Sequence, residues 1–153
     1  MSPYEGLGLI PVETQENGSV TAHLVRRAEH GASAEQLADA VLSAWHDIGQ
    51  SLAPILGHGG VAALYGRSVY LGSATHPCLS GISTGVGTGM DLANLKSVLV
   101  QQSSTNAAAA GGALLQTFYL LLTSMVGPTL TAQLLHSAWE NLLGAQPAQD
   151  NAP

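Results

Sequence analysis

The chain has 153 residues and a single cysteine, Cys78, so it suits one domain with one hydrophobic core and no internal disulfide. Only four residues are Lys or Arg and the formal net charge is −6, which excludes a surface built to neutralise nucleic-acid phosphates. Charged residues make up 9% of the sequence, against roughly 25% of an ordinary soluble domain. We therefore expect a protein with unusually little charge on its surface.

The charge is concentrated near the N-terminus. Of the ten acidic and four basic residues, nine lie within the first 47 positions, and the 43 residues from Ser97 to Trp139 contain none. Helices made from this uncharged segment must be buried or covered by a partner, because exposed apolar patches larger than a few hundred Å² usually mark interfaces.

The first part of the chain predicts a flexible arm followed by a short helix. Residues 1–18 mix proline, glycine and acidic residues without a sustained period. The start lacks a basic segment followed by an apolar one, so we expect no secretory signal and a cytoplasmic location. A helix is predicted from Ser19 to His30, with Ser19 as its cap and Gly31 as its stop.

The clearest helix begins after Ser33, which forms a capping box with Gln36 in the sequence Ser-Ala-Glu-Gln. Apolar residues then recur at helical spacing and predict a buried stripe, while polar residues occupy the opposite side. The stripe consists of Leu37, Val41, Trp45, Ile48 and Leu52. Pro54 and the glycines at positions 57, 59 and 60 are predicted to end this helix.

A second helix is predicted from Val61 to Ser73, and His76-Pro77 closes it. Its candidates for burial are Val61, Leu64, Tyr65, Val69 and Leu71. The stretch from Ser80 to Met90 carries four glycines and predicts a mobile loop. This loop lacks the lysine of a phosphate-binding loop, and no predicted strand precedes it.

A long third helix is predicted from Asp91, its cap, to Val126. If unbroken, it has about 36 residues and a length of about 54 Å. Gly111 and Gly112 weaken a helix, so either the helix breaks there or a neighbour packs tightly against it. We expect close packing at this pair.

Gly127 and Pro128 predict the junction to a last helix, since glycine ends helices and proline suits their first position. That helix should end at Gly144 and bury Leu130, Leu134, Ala138 and Leu142. Residues 145–153 predict a flexible tail. No segment alternates like a strand, so the sequence predicts an all-α, single-domain bundle over residues 19–144, with four main helices and the short N-terminal one.

The window from Ala107 to Val126 is long enough to cross a bilayer and carries no charge. It also contains polar residues and the glycine pair, and no Lys or Arg follows Lys96 to anchor an end. We therefore expect a buried helix of a soluble protein and no membrane span.

No pattern of chemical groups predicts a catalytic or metal site. The six histidines and Cys78 form no His-x-x-x-His pair and no tetrahedral set of ligand spacings, so no metal and no cofactor is expected. A nucleophile elbow of the Gly-x-Ser-x-Gly type is also lacking.

A polar but uncharged belt lies in the middle of the predicted long helix. It runs from Gln101 and Gln102 to Asn106, and Gln116 follows further along. Buried amides must find hydrogen-bond partners, so the belt either joins helices in the core or lines a polar ligand cavity.

Two resemblances to known proteins bear on function. The segment from Ala22 to Arg27 resembles the start of a histidine phosphotransfer motif, in which a helix exposes one histidine beside a basic residue; this would make His23 the phosphoacceptor. The match covers about six residues, and Arg27 stands where that family uses glycine to keep the imidazole accessible.

Residues 33 to 143 more broadly resemble a group of small proteobacterial helical proteins without an established activity. The similar stretches are 54–57, 60–68, 106–110, 116–118 and 126–131. This resemblance implies a role beside sensor kinases and response regulators, and it transfers no catalytic residue.

The sequence leaves three functions open. The first is a non-enzymatic interaction protein that self-associates, or binds a signalling protein, through an apolar helix face. The second is a bundle that holds a small molecule near Gln102, Asn106 and Gln116. The third is phosphotransfer through His23.

Overall fold

A computed structural model describes residues 12–82 and 91–144. The predicted arm up to residue 11, most of the glycine-rich loop and the tail from residue 145 lie outside these residues. Within them the chain is helical without a strand, which confirms the all-α bundle. The helices are α1 (Val12–Glu29), α2 (Ala34–Gly72), α3 (Leu92–Val100), α4 (Ser104–Val126) and α5 (Pro128–Gly144), and a short 3₁₀ helix spans Pro77–Gly81.

Helix α1 begins earlier than predicted and ends where expected. It starts at Val12, so Ser19 lies inside the helix and does not cap it. Its end is a Schellman motif: Gly31 has φ +102°, and the N–H of Ala32 donates to the Arg27 carbonyl at 2.9 Å. Glycine is favoured at this point because an L side chain rarely adopts that backbone conformation.

The start of α2 confirms the predicted capping box. The Ser33 hydroxyl accepts from the Gln36 N–H at 3.1 Å, and the Gln36 side chain accepts from the Ser33 N–H at 2.9 Å. The predicted stripe is buried throughout, with every member fully enclosed: Leu37, Val41, Trp45, Ile48 and Leu52.

The two helices predicted on either side of Pro54 follow each other directly in α2, and the break between them lies at Gly57. The backbone departs from helical geometry at Gly57, where φ is +78° and ψ is 159°. Pro54 itself lies inside the helix at an exposed position. Proline loosens the helix because it cannot donate a backbone hydrogen bond, and glycine supplies the turn that redirects the chain.

Four of the five apolar positions predicted for the second half of α2 are buried or partly buried. The prediction is wrong for Leu71, which is 37% exposed. The inward position one residue later belongs to Gly72, where an added Cβ would lie only 3.0 Å from Leu79.

The long helix predicted from Asp91 to Val126 is broken, although not at the glycine pair. Asp91 caps α3 as predicted, accepting from the Asn94 N–H at 3.0 Å. Helix α3 ends at Val100, and Ser103 then caps α4 by accepting from the Asn106 N–H at 3.1 Å. The polar side chains of this stretch compete with backbone helix bonds, which explains why the helix stops here.

The glycine pair of α4 packs closely against two neighbours, as predicted. A Cβ on Gly111 would lie 2.8 Å from a methyl carbon of Val41, and a Cβ on Gly112 would lie 2.9 Å from the Thr21 hydroxyl oxygen. Because Thr21 belongs to α1 and Val41 to α2, helix α4 lies between α1 and α2.

Aromatic rings join α2 to α4 at the centre of the core. Trp45 meets both Tyr65 and Phe118 edge to face, with ring centroids 5.0 and 4.9 Å apart. Val41 contacts Gly111, and the later residue Trp45 contacts the later residue Phe118, so the contact positions increase together along both helices. The first half of α2 and α4 therefore run in the same direction.

The junction to α5 forms as predicted, but the buried face of α5 is partly different. Gly127 has φ +91° and Pro128 begins the helix. Ala138 and Leu142 are buried as predicted, whereas Leu130 is 41% exposed and that prediction is wrong. Thr131 is buried in its place, and its hydroxyl donates to the Gly127 carbonyl. Further along α5, Leu135 and Trp139 are also buried.

Candidate interaction surface

Helix α4 belongs to the uncharged half of the chain, and one of its faces points out of the bundle.

This face is made of small or neutral residues at helical spacing. Ala109, Ala113 and Gln116 are half-buried along it, and Leu120 and Ser124 are exposed towards the C-terminal end. Leu120 is 53% exposed, an unusual position for a large apolar side chain near the middle of a protein's longest uncharged segment. We call these five residues the outer face of α4.

The rest of α4 is covered by the protein's own helices. Its first half packs against α1 and α2 through Gly112 and Gly111, and its second half packs against α5 through Tyr119, which stacks on Trp139 at 5.9 Å. The outer face thus lies on the side of α4 away from these contacts.

Two further apolar side chains extend this surface beyond the bundle. Met125 is 57% exposed at the end of α4, and Leu130 is 41% exposed in the first turn of α5. Neither has a charged residue within nine positions in the sequence, since the uncharged segment runs to Trp139. The surface around the Gly127 junction therefore offers apolar contacts without charge.

The residues of the predicted polar belt do not form a belt across the core. Gln101 and Asn106 are exposed at the junction between α3 and α4. Gln102 is half-buried after the end of α3, and its side-chain amide donates to the Val98 carbonyl of that helix at 3.3 Å. Gln116 alone of the four lies along the middle of α4. The belt was expected because the sequence predicts one continuous helix, and the break removes that arrangement.

A groove between α2 and α5 has a volume of about 40 Å³ and is lined by Ala40, Ser43, Ala44, Asn141 and Leu142. Small-molecule sites usually enclose about 300 Å³ or more. The groove is suited to water, and Asn141 at its edge donates to the Asp47 carboxylate at 3.0 Å.

His23 is buried, which removes the exposure that phosphotransfer requires. Its side chain is only 8% exposed. Burial, followed by the nearby charges of Arg27 and Arg26, lowers the pKa of His23 below its ordinary value. Phosphotransfer requires an accessible imidazole, so the burial of His23 counts against this interpretation.

No group of three His, Cys, Asp or Glu side chains that could hold a metal ion occurs in residues 12–82 and 91–144. Cys78 is half-buried in the 3₁₀ helix, and burial raises the pKa of its thiol. A raised pKa reduces the thiolate fraction at neutral pH, so this thiol has little nucleophilic character.

Helix α4 is long and apolar enough to cross a membrane by length and composition, and 44% of its most apolar window is buried inside the protein. A core helix of a water-soluble protein meets the same criteria. The absence of membrane spanning thus stays an expectation from the sequence.

Comparison with known proteins gives no further guidance: no family model, curated protein or solved structure shows significant similarity to the chain.

Proposed function

We propose that this protein is a non-enzymatic interaction protein that pairs with a second copy of itself through the outer face of α4. The observation that carries the proposal is the charge-free composition of this face, on a helix whose opposite side packs against the protein's own helices. A regulatory role in bacterial signalling is part of the proposal, and it is supported by the sequence resemblance alone.

Charge limits the surfaces through which two copies of the chain can pair. The chain has a net charge of −6, so two copies repel each other wherever their acidic surfaces meet. In a two-fold symmetric pair each residue meets the same surface on the other copy. The outer face of α4 brings no carboxylate against another carboxylate, because α4 has no charged residue.

The side chains of this face suit helix pairing. Ala109 and Ala113 are small enough to let a second helix approach closely, and Leu120 supplies apolar area to bury. Gln116 and Ser124 are neutral groups that donate and accept hydrogen bonds, so they can pair with their own copies across a two-fold axis.

The test is the molar mass of the protein in solution, measured by light scattering on a sizing column or by sedimentation at micromolar concentration. We expect a dimer for the natural chain and a monomer for Leu120→Glu, because the substitution places two carboxylates in the middle of the interface. Tyr70→Glu is the matched control: Tyr70 is 72% exposed on α2 and does not belong to the outer face of α4, so this variant should stay dimeric.

Three results would overturn the proposal. The natural chain could be a monomer throughout the concentration range, or Leu120→Glu could stay dimeric. The natural chain could also float with phosphatidylcholine vesicles in a density gradient, which would assign the apolar surface to lipid. Circular dichroism of each variant shows whether the helical fold is intact, so loss of pairing is distinguished from unfolding.

A further inference from the structure

Helix α1 carries a buried histidine next to a buried arginine nitrogen. His23 is 8% exposed, and its Nε2 atom is enclosed without a hydrogen-bond partner among the described residues. Arg27 lies four positions later, so it is a neighbour on the same face of the helix. Its Nη1 atom is likewise enclosed without a partner. The His23 ring therefore lies beside a permanent positive charge.

A neutral imidazole suits this position, whereas a charged one does not. The neutral ring can carry its single hydrogen on Nδ1 and leave Nε2 without one, but the charged ring carries a hydrogen on both nitrogens. Protonation of His23 thus creates a buried N–H without an acceptor and a second positive charge next to Arg27. Burial, followed by the charges of Arg27 and Arg26, lowers the pKa of His23 in agreement with this geometry.

The two helices that lie closest to α1 after its own turns offer no carboxylate to this ring. Helix α4, the main neighbour of α1, has no charged residue, and its one titratable side chain, Tyr119, stacks on Trp139 of α5. On α5, His136 and Glu140 pair with each other at 3.3 Å in a solvent-exposed contact. A positive charge on His23 therefore stays without compensation from either helix.

Helix α2 touches α1 only slightly, and its acidic side chains are engaged elsewhere. Glu35 and Asp39 both lie within ion-pair distance of Lys96 of α3, and Asp47 accepts from Asn141 of α5. The other described titratable groups of these helices are exposed or lie in other contacts: His46, His58, Tyr65, Arg67 and Tyr70 of α2, Glu29 and His30 of α1, and Asp91, the cap of α3.

Helix α1 can leave the bundle without disturbing the centre of the core. The aromatic contacts of the core join α2, α4 and α5, and α1 has no Phe, Tyr or Trp. Its buried apolar side chains are Val20, Leu24 and Ala28, and it packs on α4 where Thr21 meets Gly112. Elements with few core contacts open at a lower free energy than the whole domain.

We propose that protonation of His23 releases α1 from α4, so that this helix opens in acid while α2, α4 and α5 stay folded. Because Nε2 is enclosed in the closed form, the proton from solvent binds this atom once α1 has opened, and it then holds the helix open. Opening uncovers the side of α4 that bears Gly112. The bundle thus contains an apolar surface that becomes available in acid.

The test is amide hydrogen exchange of the full chain at pH 7.5 and 5.5, measured by mass spectrometry on peptides from α1 and from the first half of α2. Exchange times are scaled for the pH dependence of the chemical exchange step. We expect the protection of α1 to fall by up to about tenfold at pH 5.5, because the open form binds the proton with the ordinary histidine pKa of about 6.5. The protection of α2 should change much less.

His23→Gln removes the titrating group, so the protection of α1 should then be the same at both pH values. Arg27→Gln removes one of the charges that oppose protonation in the closed form, so it should reduce the effect of acid. His46→Gln is the matched control, because His46 is exposed on α2, and it should behave like the natural chain. Circular dichroism checks that each variant is folded.

The proposal is overturned if the protection of α1 is unchanged between the two pH values. It is also overturned if α1 and α2 lose protection to the same extent, since acid then unfolds the whole bundle. A full effect of acid in folded His23→Gln, or in Arg27→Gln should the first variant not fold, has the same meaning. Two helices of one sample are compared, so the outcome does not depend on pairing through the outer face of α4.

Discussion

The first half of α2 and helix α4 run side by side, yet they are built in opposite ways. Helix α2 separates a buried apolar stripe from a charged outer side that includes Glu35, Asp39 and Asp47. Helix α4 has no charged residue and is covered on most sides. The buried face of an amphipathic helix can therefore be predicted from its sequence, whereas that of a helix enclosed by neighbours cannot.

The largest effect is expected where the two helices share their aromatic contact. Trp45→Ala removes a fully buried ring that touches Tyr65 and Phe118, and it should lower the free energy of unfolding by about 3–5 kcal/mol. Urea unfolding followed by circular dichroism measures the change. Tyr70→Ala, at an exposed position of α2, should change stability by less than about 0.5 kcal/mol. Equal losses in the two variants would contradict this account of the core.

A smaller loss is expected from one methyl group on the glycine pair. Gly111→Ala places a Cβ 2.8 Å from Val41, and it should destabilise the protein by about 1–3 kcal/mol because the core has no room. The control is Gly59→Ala in α2, where nothing lies within 4 Å of the new Cβ. Alanine favours a helix over glycine, so this variant should gain roughly 0.5–1 kcal/mol. If Gly111→Ala were neutral, α4 would not be tightly held between its neighbours.

The smallest effect concerns pH and the charged half of the chain. The pKa of His23 is lowered in the folded state, so below the ordinary value of about 6.5 the unfolded chain binds the proton more readily. The folded state favours the neutral form of His23, so the stability that depends on this neutral form is complete above about pH 6.5. It is lost as the pH falls below that value. Urea midpoints in chloride buffers between pH 7.5 and 5.5 should therefore fall for the natural chain.

His23→Gln should remove that part of the slope. His46→Gln is the control, since His46 is exposed on α2 and its substitution should leave the slope unchanged. A slope that is the same in all three proteins would show that His23 is not the group responsible.

The features that the sequence predicted well are those set by neighbouring residues. Ser33 with Gln36, Asp91, and Gly127 with Pro128 act within one turn of the backbone, and all three mark helix ends in the structure. The stripe from Leu37 to Leu52 was predictable because its charged opposite side fixes the inward direction.

The features that were missed depend on packing between distant segments. In α5 the sequence offers Leu130 and Thr131 at adjacent positions, and only the approach of the other helices decides that the threonine is buried. The break before Ser103 has a local cause, the capping hydroxyl, but the polar run that contains it lies between two apolar segments, so the sequence predicts the middle of one helix there.

The candidate site was predictable in composition and not in position. The uncharged segment from Ser97 to Trp139 is visible in the sequence, and it contains the outer face of α4. Which residues face outward could not be found, because periodicity is weak in a segment that is apolar almost throughout. Likewise, His23 is a polar residue type that gives no signal of burial by itself, and its burial results from where α1 lies in the bundle.

The position of α4 between α1 and α2 has a consequence for synthesis on the ribosome. Helices α1 and α2 touch each other little, and each finds its main partner in α4. During translation the first hundred residues therefore emerge before the segment that they must enclose. Stable tertiary structure has to wait for that segment, so folding should be a single late and cooperative event in the life of each new chain.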